Sequence, residues 1–457
     1  MALSRRHLLT SGTALLASAC VAPMGSKSSY LTQVLAPQNN NTVFHWLDVI
    51  LQQTRDQRVP PPRAAYNFAL PLVAGFLAAN GIARKYQEPY GIGYGPIGAD
   101  MHAAYATAFA TAASEAFQQP FLIERTSFLK NIPNSEAKTR GIKWGRYVGL
   151  QVVKMRTNDG SEPSRANFYL GRYKRRPDRD PLSWKPTGPF YSAKPGPAFD
   201  SFARALFPGQ GKIKPWTMQT GSQFRAQQFY HPRSPEFAQE FDNVRRIGGA
   251  ESNIRTPDQA EIALFWEDGP WGITPPGHFL YLAAQVLQNY PMSFIDLARN
   301  FALFGMTQCD ASISSWDSKY AHDILRPESA IRVRAPEFRN PDPRVQPFAN
   351  WNSYIPTPEF PAYTSGHSTF GAAGCTLLSL IIGTDRINLT GRSPDHVLWP
   401  QLRGVYRNWT SLHQIAEENG MSRIYGGVHW MADHKEAMRA GDAIAHQAFR
   451  TQFPRCC

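Results

Sequence analysis

The chain has few cysteines for its length, and none of them forms a recognisable metal-binding motif. Five cysteines occur among 457 residues, with no CxxC pair. Their scarcity argues against a zinc site and against a fold built on disulfides. The sequence also lacks an HExxH motif, a Walker phosphate loop and a convincing dinucleotide fingerprint. The commonest zinc, nucleotide-hydrolase and nicotinamide-dependent classes are therefore not supported.

Long apolar runs, internal repeats and alternating patterns are also scarce. We expect no apolar span long enough to cross a membrane, and we interpret residues 375–382 as a buried core segment. The best strand candidate runs from Arg146 to Lys154. Apolar periodicity predicts helices over about 43–55, 64–86, 100–130, 234–247, 257–267, 276–305, 311–325, 366–383, 398–419 and 429–450.

This pattern predicts a mainly α protein with a sizeable core, in one large domain or two coupled ones. Many of the 37 prolines fall between about 177 and 217, which predicts long irregular loops. We divide the chain into an N-terminal helical region, 43–225, and a C-terminal helical region, 226–457, which holds the motifs described below.

The charge is strongly positive, but it is dispersed. The formal net charge is +13 at pH 7. Because the basic residues form no continuous patch suited to a nucleic acid backbone, we expect no nucleic acid partner. A positive surface would instead attract small anions by modest electrostatic steering.

The N-terminus predicts export. Arg5 and Arg6 precede a short apolar stretch, and 17–19 reads Ala-Ser-Ala, which fits a signal-peptidase site. We predict a twin-arginine signal over 1–19, a flexible linker over 20–42, and a periplasmic or extracellular location. Cys20 directly follows the signal, which makes a lipid anchor at this cysteine an alternative. Because Ala17 stands where a lipobox has leucine, soluble export is favoured. The neighbouring thiols of Cys456 and Cys457 at the C-terminus are open to oxidation.

Three short segments in the last third carry most of the functional information. They read Lys319-x6-Arg326-Pro327, Ser365-Gly366-His367 and Ser422-Arg423-x5-His429-x3-Asp433. Together they supply three cations, two imidazoles, a hydroxyl, a glycine amide and a carboxylate. A highly charged tetrahedral oxyanion needs cations to neutralise it, donors for its oxygens, and an imidazole to attack or ligate its centre. Alone, each segment fits a solvated helix face, a surface contact or a helix cap.

The spacing makes specific geometric predictions. Seven residues are almost two helical turns, so Lys319 and Arg326 would share one face of a helix that ends at Pro327. Ser365 would begin a buried helix whose free N–H groups suit an anion. A glycine-rich loop at 425–427 would lead into a helix starting near His429. Asp433 would then accept a proton from one ring nitrogen of His429 and leave the other nitrogen free.

These segments resemble the vanadium-dependent haloperoxidases and the acid phosphatases of the type 2 phosphatidic acid phosphatase superfamily. The similarity is strongest at 316–319 and 360–371, and it extends to 265–269 and 274–278. In the second stretch Thr364 stands where the superfamily usually has proline, which should loosen the loop slightly. The resemblance covers roughly residues 160–450 and implies a helical-bundle fold with its site in the C-terminal half.

The resemblance also implies a role for each matching residue. His429 would be the metal ligand of vanadate, or the nucleophile of a phosphatase. Lys319, Arg326, Ser365, Gly366 and Arg423 would bind the vanadate oxygens. His367 would be the acid–base group, Asp433 would orient His429, and Asp268 would pair with Arg423. Trp316 and Phe360 would line a halide pocket, and the aromatic Phe360 resembles the chlorinating type more than the brominating type.

Two activities follow from the resemblance. The first is an exported vanadate-dependent haloperoxidase that oxidises halide with hydrogen peroxide to hypohalous acid or its equivalent and halogenates a small organic acceptor. The alternative is an exported acid phosphatase with a phosphohistidine intermediate. The aromatic residues and the haloperoxidase-like upstream segments favour the first. An oxyanion-binding protein without activity would have lost some of these residues, and none is lost.

Overall fold

The structure is a computed structural model, which describes residues 41–163, 167, 176–177, 179–185, 205–269, 272–396 and 399–456. The predicted signal, almost all of the predicted linker, Cys20 and Cys457 lie outside these residues. So does about half of the proline-rich span, because residues 178 and 186–204 are not described.

Helices dominate both halves of the described chain, which confirms the mainly α prediction. The first half contains α1 (Thr42–Asp56), α2 (Pro61–Ala83), α3 (Met101–Ala116), α4 (Leu122–Lys130) and α5 (Glu136–Met155). The second half contains α6 (Pro235–Ile247), α7 (Pro257–Phe265), α8 (Thr274–Leu287), α9 (Phe294–His322), the single turn α10 (Pro327–Ser329), α11 (Gly366–Ile382), α12 (Leu412–Tyr425) and α13 (Met431–Thr451).

The remaining regular structure is minor. Strands β1 (Arg386–Gly391) and β2 (Arg407–Ser411) pair antiparallel, with Leu389 opposite Trp409. Short 3₁₀ segments cover Gln210–Lys212, Ala335–Phe338 and Pro400–Leu402, and a π-helical turn covers Ala330–Arg334.

Local sequence explains where the long helix α9 begins and ends. The Ser293 hydroxyl accepts a hydrogen bond from the Asp296 N–H and caps the first turn. Asp323 closes the helix in the left-handed conformation, at φ 52°, and its N–H donates to the Lys319 carbonyl. Asp and Asn adopt this conformation more readily than most residues, so the helix ends at His322, five residues before Pro327. Lys319 consequently lies in the last turn of α9.

One continuous hydrophobic cluster joins the two halves of the described chain. It includes side chains of α1 to α3 together with α8, α9 and α11, among them Trp46, Phe68, Phe301 and Phe370. Helices α2 and α9 approach closely where Gly305 faces Ala69, because a Cβ at Gly305 would lie 2.9 Å from the Ala69 Cα. A smaller cluster around Trp430 packs α6 against the start of α13.

Helix α2 corrects one prediction from the sequence. The helix has 23 residues and is long and apolar enough to cross a membrane, whereas we expected no such span. Of its most apolar window, 94% is buried inside the protein, as in the core helix of a globular domain. The prediction that no span is long and apolar enough was therefore wrong. The burial of this helix nevertheless leaves no clear transmembrane helix among the described residues.

Several element boundaries also differ from the predictions. The expected strand from Arg146 to Lys154 is wrong, because these residues belong to α5, where the glycines at 145 and 149 pack against α3. The expected helix over 398–419 contains β2 and starts only at Leu412. The break predicted near 305–311 lies instead at 288–293. Residues 100–130 form two helices rather than one.

Candidate active site

The start of α11 places the central motif. The Ser365 hydroxyl accepts a hydrogen bond from the Ser368 N–H at 3.3 Å and caps the helix, and Ser365 is fully buried. The Ser365 N–H donates to the Asp433 carbonyl oxygen at 3.1 Å, which ties this turn to the start of α13. Gly366 and His367 occupy the first turn, where no helical carbonyl can pair with their N–H groups. The cap leaves the hydroxyl proton of Ser365 free to donate.

Lys319 reaches this turn from α9. Its side chain is fully buried, and its ammonium group donates to the carbonyl oxygens of Pro361, Ala362 and Thr364, the first two at 3.2 and 3.0 Å. Burial and the nearby Arg326 lower the pKa of Lys319 well below its usual range. The three carbonyl oxygens hold the Lys319 nitrogen beside Thr364, the residue that precedes Ser365.

Arg326 lies in an extended segment rather than on the helix of Lys319. Its φ and ψ are −77° and 152°, so the prediction of a shared helical face is wrong, because α9 ends at His322. Arg326 is fully buried and donates to the carbonyls of Phe360 at 2.8 Å and Val428 at 2.7 Å. Its Nη1 also lies 3.0 Å from the His429 Nε2. The extended segment after α9, rather than the helix itself, therefore places the Arg326 guanidinium beside the His429 imidazole.

His429 and Asp433 form the predicted contact. The His429 Nδ1 lies 2.6 Å from the Asp433 Oδ2, and both side chains are buried. Asp433 Oδ2 also accepts from the Trp430 N–H at 3.0 Å, and α13 begins at Met431, two residues after His429. With Nδ1–H donating to the carboxylate, the Nε2 lone pair is the one that faces Arg326. The imidazole thus presents one basic nitrogen to the cations.

Arg423 comes from the last turn of α12. It is 3% exposed, and its Nη1 donates to the Trp266 carbonyl at 3.4 Å. Burial lowers its pKa to about 10, and the negative charges of Glu267 and Asp268 oppose this shift. The guanidinium therefore remains charged at neutral pH, beside two carboxyl groups.

Asp268 has a different hydrogen-bond partner from the one predicted. Its two carboxylate oxygens lie 3.0 and 3.1 Å from the His278 Nδ1, and both residues are buried. Among the described residues Asp268 makes no ion pair with Arg423, on which it acts only through its charge. Glu267 and His278 are thus two site residues that the sequence analysis missed. Both stand in the upstream segments 265–269 and 274–278, whose similarity to haloperoxidases was noted without a role.

His367 stands on the other side of the α11 start. It is partly exposed, and its Nε2 lies 3.3 Å from the Glu267 carbonyl oxygen. Burial and the positive charge of Arg423 lower its pKa well below the usual range. The neutral imidazole can then accept a proton from a bound acid.

Trp316 and Phe360, which we expected to line a halide pocket, pack against each other. Their ring centroids are 4.9 Å apart, and Phe360 also lies under the Arg326 guanidinium, whose carbon is 4.9 Å from its centroid. The Lys319 ammonium is 5.0 Å from the Phe360 centroid and 5.5 Å from that of Trp316. These cation–π contacts hold the cations from the apolar side. The structure thus brings every predicted site residue into one region.

Unsatisfied donors indicate what the site would bind. Arg326 Nη2 and Arg423 Nε are buried and have no hydrogen-bond partner among the residues that the structure describes. Burial lowers the pKa of Arg326 to about 9, so it too stays charged at neutral pH. Buried donors without partners are costly, and a multivalent oxyanion would satisfy several at once. No group of three or more His, Cys, Asp or Glu among the described residues could hold a metal cation.

Comparisons with known proteins agree with this geometry. The family profile described as VCPO second helical-bundle domain matches residues 299–453. The vanadium chloroperoxidase of Curvularia inaequalis is 29% identical over an alignment of 245 residues, and the match covers 42% of this chain and 40% of that protein. The chain therefore spans less than half the length of this relative. The resemblance to vanadium-dependent haloperoxidases is confirmed.

Solved structures extend the similarity to almost the whole chain. A bacterial vanadium-dependent iodoperoxidase superposes with a TM-score of 0.70 at 22% identity, covering 91% of this chain and 98% of that one. The holo form of a bacterial vanadium-dependent chloroperoxidase gives 0.63 at 16% identity, covering 93% and 96%. At these identities the likeness concerns the fold. The chain has the vanadium haloperoxidase fold.

The donor set fits vanadate as a bound group. Vanadate is a tetrahedral oxyanion, and the site offers cations with unpaired N–H groups, a serine hydroxyl and helix-start amides. The His429 Nε2 is the basic nitrogen in the middle of this set. Lys319 is the least adapted member, because its donors are used on backbone carbonyls. Its contribution to such a group would be electrostatic rather than a free hydrogen-bond donor.

Proposed function

We propose that this protein is an exported vanadate-dependent haloperoxidase, which oxidises halide with hydrogen peroxide and halogenates a small organic acceptor. The observation that carries the proposal is the His429 imidazole, whose Nδ1 is held by Asp433 and whose Nε2 faces a buried arginine with an unpaired donor. The similarity to vanadium chloroperoxidase and iodoperoxidase supports the chemistry. Bound vanadate would supply the Lewis acidity that activates peroxide towards halide.

The residues of the chain have distinct tasks in this proposal. His429 Nε2 would ligate vanadium, and Asp433 would keep the imidazole in the tautomer that leaves this nitrogen unprotonated. Arg326, Arg423 and Lys319 would neutralise the oxyanion, while Ser365 and Gly366 would donate to its oxygens. Neutral His367 would accept the proton of incoming peroxide. Trp316 and Phe360 would exclude water on the side where halide arrives.

The location of this activity rests on the N-terminal sequence. The paired arginines, the short apolar stretch and Ala-Ser-Ala at 17–19 support twin-arginine export to the periplasm or outside the cell. Expression with and without residues 1–19, followed by fractionation, tests this. Retention of both forms in the cytoplasm would contradict export.

The deciding experiment is a halide-dependent peroxide assay of purified protein, with and without orthovanadate. Chloride, bromide and iodide are tested separately, and a generic phosphomonoester is run alongside. We expect oxidation of at least one halide that depends on vanadate, and no phosphate-ester turnover. Ester hydrolysis that vanadate inhibits, without halide oxidation, would identify a phosphatase that uses the same residues.

His429→Ala provides the decisive variant. Removing the single metal ligand should abolish tight vanadate binding and the halide activity, as measured by vanadium content after gel filtration. His446→Ala is a matched control, because His446 is a partly exposed histidine on α13, the helix that follows His429. Stoichiometric vanadium in His429→Ala protein would refute the ligand assignment.

A further inference from the structure

A second histidine lies next to the site and joins it to the protein surface. His434 follows Asp433 on α13 and is 2% exposed. Its Nδ1 lies 3.0 Å from the Ser368 hydroxyl, and its Nε2 lies 3.1 Å from the Glu417 carboxylate on α12. Three helices therefore contribute one side chain each to a hydrogen-bonded chain.

Glu417 sets the direction of these hydrogen bonds. The hydrogen bond from His434 lowers the pKa of Glu417, so this half-exposed residue is a carboxylate and can only accept. His434 must then donate from Nε2. In neutral imidazole the Nδ1 lone pair accepts, and the Ser368 hydroxyl becomes the donor. The chain of hydrogen bonds thus runs from buried Ser368 through His434 to surface Glu417.

The fold makes room for this chain at a glycine. A Cβ at Gly420 of α12 would lie 2.2 Å from the His434 Nδ1 and 2.9 Å from the Ser368 hydroxyl oxygen. No other residue type fits without displacing the imidazole. The order serine, histidine, glutamate also occurs in hydrolases, but Ser368 is fully buried and no ester could reach it.

The inner end of the chain touches the oxyanion site at Ser365, and its middle member, His434, directly follows Asp433 on α13. The N–H of Ser368 donates to the Ser365 hydroxyl, while the carbonyl of Asp433 accepts from the Ser365 N–H at 3.1 Å. Asp433 also holds His429 through its carboxylate. Ser368 and His434 therefore tie the first turn of α11 to the first turn of α13, and these turns carry the two halves of the site.

We propose that Glu417, His434 and Ser368 form a positioning relay, which holds Ser365 in register with His429 and thereby strengthens the binding of a tetrahedral oxyanion. The inference rests on the proposed function, because it presupposes that the site binds such an anion. None of the three residues needs to touch the anion. Their effect is to keep two helix starts at a fixed separation, since small displacements of donors weaken binding strongly.

Isothermal titration calorimetry with orthovanadate tests the relay, combined with thermal unfolding of each variant. Ser368→Ala should weaken orthovanadate binding by about three- to tenfold, the net value of one hydrogen bond. Glu417→Ala should weaken it by roughly threefold, since it removes the surface acceptor. Glu417→Gln keeps an acceptor oxygen for the Nε2–H and should bind as the wild type does.

A matched control lies on α13. Asp442 and His446 form an exposed carboxylate–histidine pair with 3.5 Å between Oδ2 and Nδ1. Asp442→Ala should leave orthovanadate affinity unchanged, because this pair does not touch either turn of the site. Wild-type affinity in Ser368→Ala and Glu417→Ala proteins, with lowered unfolding temperatures only, would overturn the relay and leave the proposed function intact.

Other outcomes separate the two proposals. Wild-type protein that binds orthovanadate tightly but oxidises no halide would overturn the proposed function, while the affinity comparison still decides the relay. Wild-type protein that binds no orthovanadate would overturn both. Equal weakening by Glu417→Gln and Glu417→Ala would overturn the role of Glu417 as an acceptor.

Discussion

The two nitrogens of His429 have opposite environments. Nδ1 faces the Asp433 carboxylate at 2.6 Å, whereas Nε2 faces the Arg326 guanidinium at 3.0 Å. Burial and the positive charges of Arg326, Lys319 and Arg423 lower the pKa of the imidazole well below its usual range. The unprotonated ring is therefore the stable form at neutral pH, which is the form that a metal requires.

Asp433→Asn tests the importance of this arrangement. An amide can still fill the space, but it no longer fixes the tautomer by accepting from both Nδ1–H and the Trp430 N–H. We expect the affinity for orthovanadate to fall by about 10- to 100-fold, as for other outer-shell partners of metal ligands. Calorimetric titration measures the affinity, and Asp442→Asn on the same helix is the control. Unchanged affinity would show that Asp433 does not orient the ligand.

At this scale the sequence predicted which residues lie in the site better than it predicted their hydrogen-bond partners. The His429–Asp433 contact followed from their spacing and from family resemblance, and the structure shows it. The pairing of Asp268 with Arg423 did not appear, because His278 from α8 reaches the carboxylate first. Spacing cannot reveal such a partner, since Asp268 lies in a loop with φ 47° and its direction depends on tertiary contacts.

At the scale of elements, the site depends on how closely α11 and α13 approach. A Cβ at Gly441 would lie 2.5 Å from the Thr369 carbonyl oxygen and 2.8 Å from the Ala372 Cβ. The glycine therefore allows backbone contact between the helices that carry Ser365 and Asp433. A side chain there would separate the helices, because backbone atoms and a Cβ cannot rotate away.

Gly441→Ala should consequently destabilise the protein despite the higher helix propensity of alanine. We expect a loss of about 1–3 kcal/mol in the free energy of unfolding, the usual cost of overpacking. Urea denaturation followed by circular dichroism measures this change. Orthovanadate affinity should fall as well, since the two helix starts shift. A more stable variant would contradict the close approach.

Asp296 in the first turn of α9 gives a pH-dependent prediction. Partial burial by itself raises the pKa of Asp296, but hydrogen bonds from Lys85, Tyr86 and Ser293 outweigh it and lower the pKa to about 2. A depressed pKa means that the ionised form stabilises the fold above the unfolded value of about 3.9. This contribution is lost as the pH falls from about 4 to about 2.

Asp296→Asn should remove this part of the acid sensitivity. Asp296 is partly exposed, so screening reduces the effect to roughly 1 kcal/mol. The drop in unfolding free energy between pH 5 and pH 2.5 should be smaller in the variant than in the wild type by that amount. Identical drops would show that the contacts of Asp296 do not stabilise α9.

Helix prediction succeeded where caps and periodicity agreed. Helix α6 begins at Pro235 after the Ser234 cap, and α7 begins after the Thr256 capping box, both within one residue of expectation. It failed for α5, whose glycines and valines resemble a strand locally but pack against α3. It also failed at β2, where the pairing partner lies twenty residues away in sequence. Tertiary contact overrode local preference in both cases.

At the scale of the molecule, the two halves of the described chain are interlocked. The backbone N–H groups of Trp216 and Thr217 donate to the buried Asp310 carboxylate of α9, at 2.8 and 2.7 Å. At the other end, Phe453 packs on Phe76 with ring centroids 4.6 Å apart. The core is continuous across the division that we predicted near residue 225.

A fragment of residues 226–457 should therefore not fold cooperatively by itself. It would expose the face of α9 that α2 covers and would leave the Asp310 carboxylate without its donors. We expect a broad thermal transition for the fragment and a single sharp one for the full chain, measured by differential scanning calorimetry. A cooperative transition in the fragment would show that the C-terminal region is an independent domain.

The overall fold class was predictable because the mainly α pattern and the three spaced motifs can be recognised without knowing the loop conformations. The interlocking was not, because it depends on contacts such as Phe76 to Phe453 that are far apart in the sequence. The matches to solved haloperoxidases cover more than nine tenths of the chain, beyond the 160–450 that the motifs supported.

The buried cations have a practical consequence for any laboratory that handles this protein. Burying Lys319, Arg326 and Arg423 together costs free energy, and an oxyanion that fills the site would return part of it. Phosphate in a buffer would then protect the protein against heat, by about 2.7 kcal/mol at a concentration one hundred times its dissociation constant. The same phosphate would compete with vanadate. The ion that best stabilises the protein against heat would thus also inhibit it, and a sample stored in phosphate would be thermally stable but inactive.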